Sequence, residues 1–205
     1  MLFEKRLVPV VVIEDWRNAD GLGEALVAGG LPIAEVTMRT VAAPDAIRAM
    51  SDRGDVLVGA GTVVNARQVD EVVAAGAQFV VSPGLSRAVV DRCNELGVPV
   101  IPGAVTATEV QAALEAGIQT VKFFPAESSG GVQAIRALAA PFTGVNFVPT
   151  GGVSATNVGD YLALSCVVAV GGSWMVPPAV IAQGDFARIA SLAAEAVALA
   201  SHSST

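Results

Sequence analysis

VLVGAGTVVNARQVDEVVAAGAQFVVSPG, residues 56–84, holds the pattern on which the fold turns. It opens with a short apolar run and closes with another at Phe79. Between them, ARQVDEVVAAG (66–76) carries its apolar residues at helical spacing and ends on a glycine suited to the left-handed position after a helix. Asn65 stands where an N-cap belongs. A strand, a helix and a strand in this order form a βαβ unit, which implies a parallel sheet.

The unit recurs in both directions along the chain. Further apolar runs begin at Leu7, Ile33, Pro99, Thr120, Asn146 and Val167, so all eight starts lie 20 to 26 residues apart. SRAVVDRCNELG (86–97) and ATEVQAALEAG (107–117) repeat the helical spacing and the terminal glycine, with Ser86 and Thr106 as candidate N-caps. Eight such units predict an α/β fold, a single (β/α)8 TIM barrel with a short N-terminal extension. An open doubly wound sheet would leave two or three runs unused. No composition break or linker divides the chain, so residues 1–205 are expected to form one domain, with 201–205 a frayed tail.

Composition limits the function classes. Hydrophobic residues make up 53% and charged residues 15%, with a mean hydropathy of +0.60, which excludes a disordered chain. Twelve Lys and Arg against 19 Asp and Glu give a net charge of -7 without clustered cations, so no nucleic-acid partner is expected. One histidine (His202) and two cysteines (Cys93 and Cys166) make neither a disulfide framework nor a zinc set, so no metal is expected and the reducing cytoplasm is the expected compartment. The uncharged stretches 137–159 and 161–183 are interrupted by Gly and Pro, and the apolar run Leu7–Ile13 is short for a signal peptide, so no membrane association is expected.

Parallel strands are covered on both faces, which makes polar residues inside them informative. In IAEVTMRT (33–40), Glu35, Thr37 and Arg39 share one parity and Ala34, Val36 and Met38 the other, so the polar set points to one side. This is either a structural Glu35–Arg39 pair or part of a site. In TVKFFPA (120–126), Lys122 sits mid-strand, where an unpaired ammonium would cost several kcal/mol. It must be paired with an inward carboxylate or serve as a nucleophile, and Glu35 can act as both partner and proton carrier. An apolar setting and a nearby cation such as Arg39 both favour the neutral, nucleophilic amine. PTGGV (149–153) and VGGSW (170–174) end the seventh and eighth runs, where barrels often bind phosphate on backbone N–H groups and a helix N-terminus. Each glycine pair alone could be an ordinary turn, and Ser154 or Thr156 is expected to open the helix that follows. Gly59-Ala60-Gly61 lacks the third glycine of a dinucleotide fingerprint.

EVTMRT (35–40), GAGTV (59–63), SPG (82–84), VKFFPAE (121–127), PTGGV and GGSW occur together, in an order and spacing that closely resemble the bacterial class I 2-keto-3-deoxy-6-phosphogluconate (KDPG) aldolases. That group includes 4-hydroxy-2-oxoglutarate (KHG) aldolase activity, and the resemblance runs from about Leu7 to Pro178. It implies a homotrimeric (β/α)8 enzyme that needs no metal or other cofactor. Such an enzyme would cleave its phosphorylated 2-keto-3-deoxy sugar acid to pyruvate and glyceraldehyde 3-phosphate. By resemblance, Lys122 is the Schiff-base lysine and Glu35 the proton-transferring glutamate. Arg39 and Thr62 would hold the pyruvyl carboxylate, and Pro83 and Phe124 would line the pocket. Gly151, Gly152 and Ser173 would contact the phosphate, with Thr150 adjacent. Where the family often has proline, this chain has Ala107, a change in helix preorganisation and not in chemistry.

The expected function is KDPG cleavage. KHG or a phosphogalactonate-type acid is the alternative substrate, and a sugar-phosphate isomerase or epimerase barrel the alternative reaction. A non-catalytic sugar-phosphate sensor is the reading from outside enzymology, and borohydride trapping with pyruvate separates it from an aldolase.

Overall fold

The computed structural model describes residues 2–202. All eight expected strands are present: β1 (Leu7–Val11), β2 (Ile33–Thr37), β3 (Leu57–Gly61), β4 (Phe79–Val81), β5 (Val100–Ile101), β6 (Thr120–Phe123), β7 (Asn146–Pro149) and β8 (Val170–Gly172). Each is followed by a helix: α1 (Ala19–Ala28), α2 (Ala43–Asp52), α3 (Ala66–Ala74), α4 (Arg87–Leu96), α5 (Ala107–Glu115), α6 (Gly131–Ala139), α7 (Val158–Leu162) and α8 (Pro178–Ala182). The helix α9 (Phe186–His202) comes last and packs on α1.

The strands are parallel and form a curled sheet. Six make one ladder in the order β5-β4-β3-β2-β1-β8, and β6 and β7 make a separate pair. Short bridges span both gaps: Gly103 to Lys122 on one side, and Phe147 to Val167 and Thr150 to Gly171 on the other. The regular ladder therefore does not run unbroken around eight strands. On the β5 side the reason is local, because that strand has two residues between Pro99 and Pro102, and proline has no N–H to donate. Pro102 still accepts a hydrogen bond from the Lys122 N–H, at 2.8 Å.

The three helices read from periodicity form where expected and bury the predicted faces, such as Val69 and Val72 of α3 and Val89, Val90 and Cys93 of α4. Asn65, Ser86 and Thr106 each accept a hydrogen bond from the backbone N–H three residues on. At Thr106 the Glu109 side chain also reaches back to the cap, completing a capping box. That box supplies the helix start ahead of Ala107. Gly97 ends α4 with φ +68, a left-handed conformation that glycine adopts without a Cβ penalty.

One helix start differs from expectation. The helix after β7 opens at Val158 and not beside Ser154 or Thr156, because Ser154 and Asn157 close a turn first. The Ser154 N–H donates to Asn157 Oδ1 at 2.8 Å, and the Asn157 N–H donates back to the Ser154 carbonyl. The helix after β8 has five residues and starts at Pro177-Pro178, whose nitrogens carry no hydrogen. It offers no donor row to an anion.

Before β1, Arg6 Nη2 donates to the carbonyls of Leu162 and Val167, each at 2.9 Å, tying the N-terminal turn to the far end of the chain. At the other terminus α9 continues to His202, with Ser201 Oγ donating to the Val197 carbonyl; residues 203–205 of the expected frayed tail lie outside the described residues. No helix among the described residues is long and apolar enough to cross a membrane.

Candidate active site

The polar residues of β2 and β6 meet inside the sheet. Lys122 Nζ donates to Glu35 Oε1 at 2.9 Å, and the two residues are only 4% and 3% exposed. Two ions so buried are costly to desolvate, and their pairing resolves the question raised by a mid-strand lysine. Glu35 is therefore the partner of Lys122 and not of Arg39. The alternation along β2 brings this about, and Thr37 anchors the strand by donating its hydroxyl to the Val11 carbonyl at 2.8 Å.

Arg39 lies just past β2, exposed, and has no carboxylate partner among the described residues. Its Nε donates to Thr62 Oγ1 at 3.2 Å. Thr62 has φ +57, an uncommon conformation for a β-branched residue that costs of order 1–3 kcal/mol. The fold holds Thr62 in this strained turn with its hydroxyl toward the guanidinium. A planar, unpaired guanidinium beside a hydroxyl can take a carboxylate.

Phe124 places its ring 5.4 Å from Lys122 Nζ, close enough for a cation–π contact. The Pro83 carbonyl lies so close to Gly103 that a Cβ there would overlap it. Gly103 is in turn bridged to Lys122, so Pro83 is one strand removed from the lysine.

Six of the ten expected residues, Arg39, Phe124, Thr150, Gly151, Gly152 and Ser173, line one cavity of about 280 Å³. The Lys122–Glu35 pair, Thr62 and Pro83 are reached through their contacts with these residues and with β5. Both glycine pairs adjoin this cavity. Gly151 and Gly152 have φ +98 and +81, and the Thr150 side chain packs on Gly171. A larger cavity of about 560 Å³, beside Arg136, Asn146 and Cys166, contains no lysine or carboxylate. Burial there pushes the Cys166 thiol up, away from reactivity.

Sequence reading missed two groups around the cavity. Val10 and Val12 from the end of β1 line it, and in the ladder Val10 pairs with Glu35. Because β1 is apolar on both faces, its parity offers no contrast to read. Glu127, just after β6, packs on Gly152 and accepts a hydrogen bond from the Tyr161 hydroxyl. The FFPAE stretch contains this residue, but nothing in its spacing links it to Tyr161.

The chain is similar to known proteins over nearly its whole length. The chain is 48% identical over 192 residues to the KHG/KDPG aldolase of Escherichia coli (strain K12), a match covering 93% of this chain and 90% of that protein. The structure of KDPG aldolase from Legionella pneumophila, with pyruvate captured as a covalent carbinolamine intermediate, superposes with a TM-score of 0.91. It shares 39% identity, and the match covers 94% of this chain and 95% of that one. The 2-keto-3-deoxy-6-phosphogluconate aldolase of Zymomonas mobilis ZM4 with 3-phosphoglycerate gives a TM-score of 0.89 at 40% identity, covering 97% of each chain. The profile of the family described as KDPG and KHG aldolase matches residues 1–192, and the chain belongs to that family.

Proposed function

We propose that this protein is a class I aldolase that cleaves 2-keto-3-deoxy-6-phosphogluconate to pyruvate and glyceraldehyde 3-phosphate. The observation that carries this reading is the buried 2.9 Å contact between Lys122 and Glu35. Arg39, hydrogen-bonded to Thr62, and the Thr150–Gly152 loop line one cavity. The relative from Legionella pneumophila, with its pyruvate carbinolamine, supports the same chemistry here. The E. coli relative, named for both substrates, keeps 4-hydroxy-2-oxoglutarate as the alternative.

The chemistry follows from what the bond cleavage needs. Glu35 takes a proton from Lys122, and the amine attacks the C2 ketone to form a carbinolamine. Glu35 returns the proton to the departing hydroxyl, water leaves, and an iminium remains as the electron sink. Glu35, again a carboxylate, removes the proton of the C4 hydroxyl. The C3–C4 bond then breaks, its electrons form the enamine, and the aldehyde leaves. Protonation at C3 and hydrolysis release pyruvate and regenerate Lys122. One group near the imine nitrogen thus serves several proton transfers in turn. Arg39 and Thr62 hold the carboxylate of the pyruvyl half, while Gly151, Gly152 and Ser173 hold the phosphate.

The framework we infer is a closed (β/α)8 barrel of one domain, supported by the bridges across both gaps in the strand order. A homotrimer follows from the resemblance, and a cytoplasmic location is supported by the two free thiols, Cys93 and Cys166.

Borohydride added with pyruvate tests this function. One reduced pyruvyl group on Lys122 is expected by peptide mass, and Lys122→Arg should abolish it, because a guanidinium cannot form the imine. Labelling at another lysine such as Lys5, or none, would overturn the reading.

A further inference from the structure

The anion loop after β7 is held by hydrogen bonds from the segments on either side of it. The Thr150 N–H donates to the Phe123 carbonyl at 3.0 Å. The Thr150 and Gly151 carbonyls accept from the N–H groups of Ala126, at 2.8 Å, and Glu127, at 3.1 Å. Asn157 Nδ2 donates to the Gly152 carbonyl at 3.2 Å. The loop's carbonyls are thus occupied, while the Gly152 N–H donates to no group among the described residues.

One side-chain contact ties these supports together. The Glu127 side chain lies flat on Gly152, so that a Cβ on the glycine would come within 2.5 Å of Glu127 Cγ. Its carboxylate accepts the Tyr161 hydroxyl, and Tyr161 rises from α7 with its ring fully buried. Burial and the neighbouring carboxylate both hold the phenol in its protonated, donating form. Glu127 follows the strand of the Schiff-base lysine, and Tyr161 lies on the helix after the anion loop. Their hydrogen bond clamps these two segments around Gly151-Gly152.

We propose that Glu127 and Tyr161 are positioning residues that fix the Thr150–Gly152 loop and thereby set the affinity for the distal phosphate of the substrate. The proposal rests on the aldolase reading above. A clamp of this kind should matter to the phosphorylated end and not to chemistry at C2 and C3. Pyruvate alone forms the imine and enamine without reaching the loop.

The test compares Tyr161→Phe, Glu127→Ala and Glu127→Gln with the unsubstituted enzyme. Two rates are measured for each: cleavage of the phosphorylated six-carbon substrate, and exchange of the C3 hydrogens of pyruvate in deuterated water. Tyr161→Phe and Glu127→Ala should raise KM for cleavage about tenfold, with kcat and pyruvate exchange within about twofold of the parent. Glu127→Gln keeps an acceptor for the Tyr161 hydroxyl and should stay within about threefold of the parent KM. An unchanged KM, a parallel fall in pyruvate exchange, or a Gln variant as impaired as Ala would overturn the clamp. No exchange by the unsubstituted enzyme would instead overturn the aldolase reading itself, which separates the two failures.

Discussion

The Glu35 carboxylate lies over the Cα of Gly61, in the space that any side chain at that position would occupy. Parallel pairing of β2 with β3 places Glu35 opposite Gly59 and Thr37 opposite Gly61. The glutamate thus leans along its own strand toward the mouth of the site, and it can do so because its neighbour carries no Cβ. Gly61 therefore makes room for the Glu35 side chain by what it lacks.

Gly61→Ala should displace the carboxylate from Lys122 and lower kcat at least tenfold. The residue is in an ordinary strand, so little backbone strain is added, but parting the buried Lys122–Glu35 pair should also lower the melting temperature clearly. Steady-state release of pyruvate and a thermal melt check both. Full activity in a well-folded variant would show that Glu35 has another route to the reacting carbons.

Glu35→Gln keeps the size and an acceptor for Lys122 but cannot carry a proton. Turnover should fall roughly 10²-fold or more, the usual range for a lost general acid–base group. Borohydride trapping with pyruvate should remain measurable. An unchanged turnover would reduce Glu35 to a counter-ion.

Ser173→Ala removes one hydroxyl donor from the cavity. A charge-assisted hydrogen bond contributes roughly 1.5–3 kcal/mol, so kcat/KM for the phosphorylated substrate should drop about ten- to a hundredfold. Pyruvate trapping at Lys122 should be untouched. Gly152→Ala is a harsher probe, because an alanine there is strained at φ +81 and its methyl meets Glu127 as well as the anion. Equal loss on pyruvate and the full substrate with Ser173→Ala would make the loop a structural turn.

Burial pushes the Cys93 thiol up to about 11 from its ordinary 9.0. The folded protein therefore keeps a proton that the unfolded chain gives up, and this favours the fold less and less as pH rises from about 9 to about 11. Thermal stability should decline over that interval, and the decline should be shallower in Cys93→Ala. At pH 8, iodoacetamide should leave Cys93 unmodified until the protein is unfolded, which mass spectrometry of peptides can follow. Rapid labelling of the native protein would contradict this.

Much of the site was legible because a parallel strand buried on both faces makes any polar residue conspicuous. Lys122 in TVKF and Glu35 in IAEVT broke apolar runs, and alternation along the strand fixed which side each faced. The capped helices were legible for a similar reason, since Asn65, Ser86 and Thr106 satisfy backbone donors only a few residues away. Local sequence sets such contacts.

Tertiary structure alone decided what depends on pairing between distant segments. It matched Glu35 with Lys122, 87 residues away, in place of Arg39, four positions along the same stretch. It moved the start of α7 past Ser154 and Thr156, where the Asn157 side chain closes a turn. It also brought Tyr161 to Glu127 across the glycine loop, and it put Val10 and Val12 in the cavity although β1 shows no polar contrast. The period of a strand tells which face a side chain takes. Which residue it meets there depends on the register and curl of strands far apart in the chain, and no local stretch of sequence carries that information.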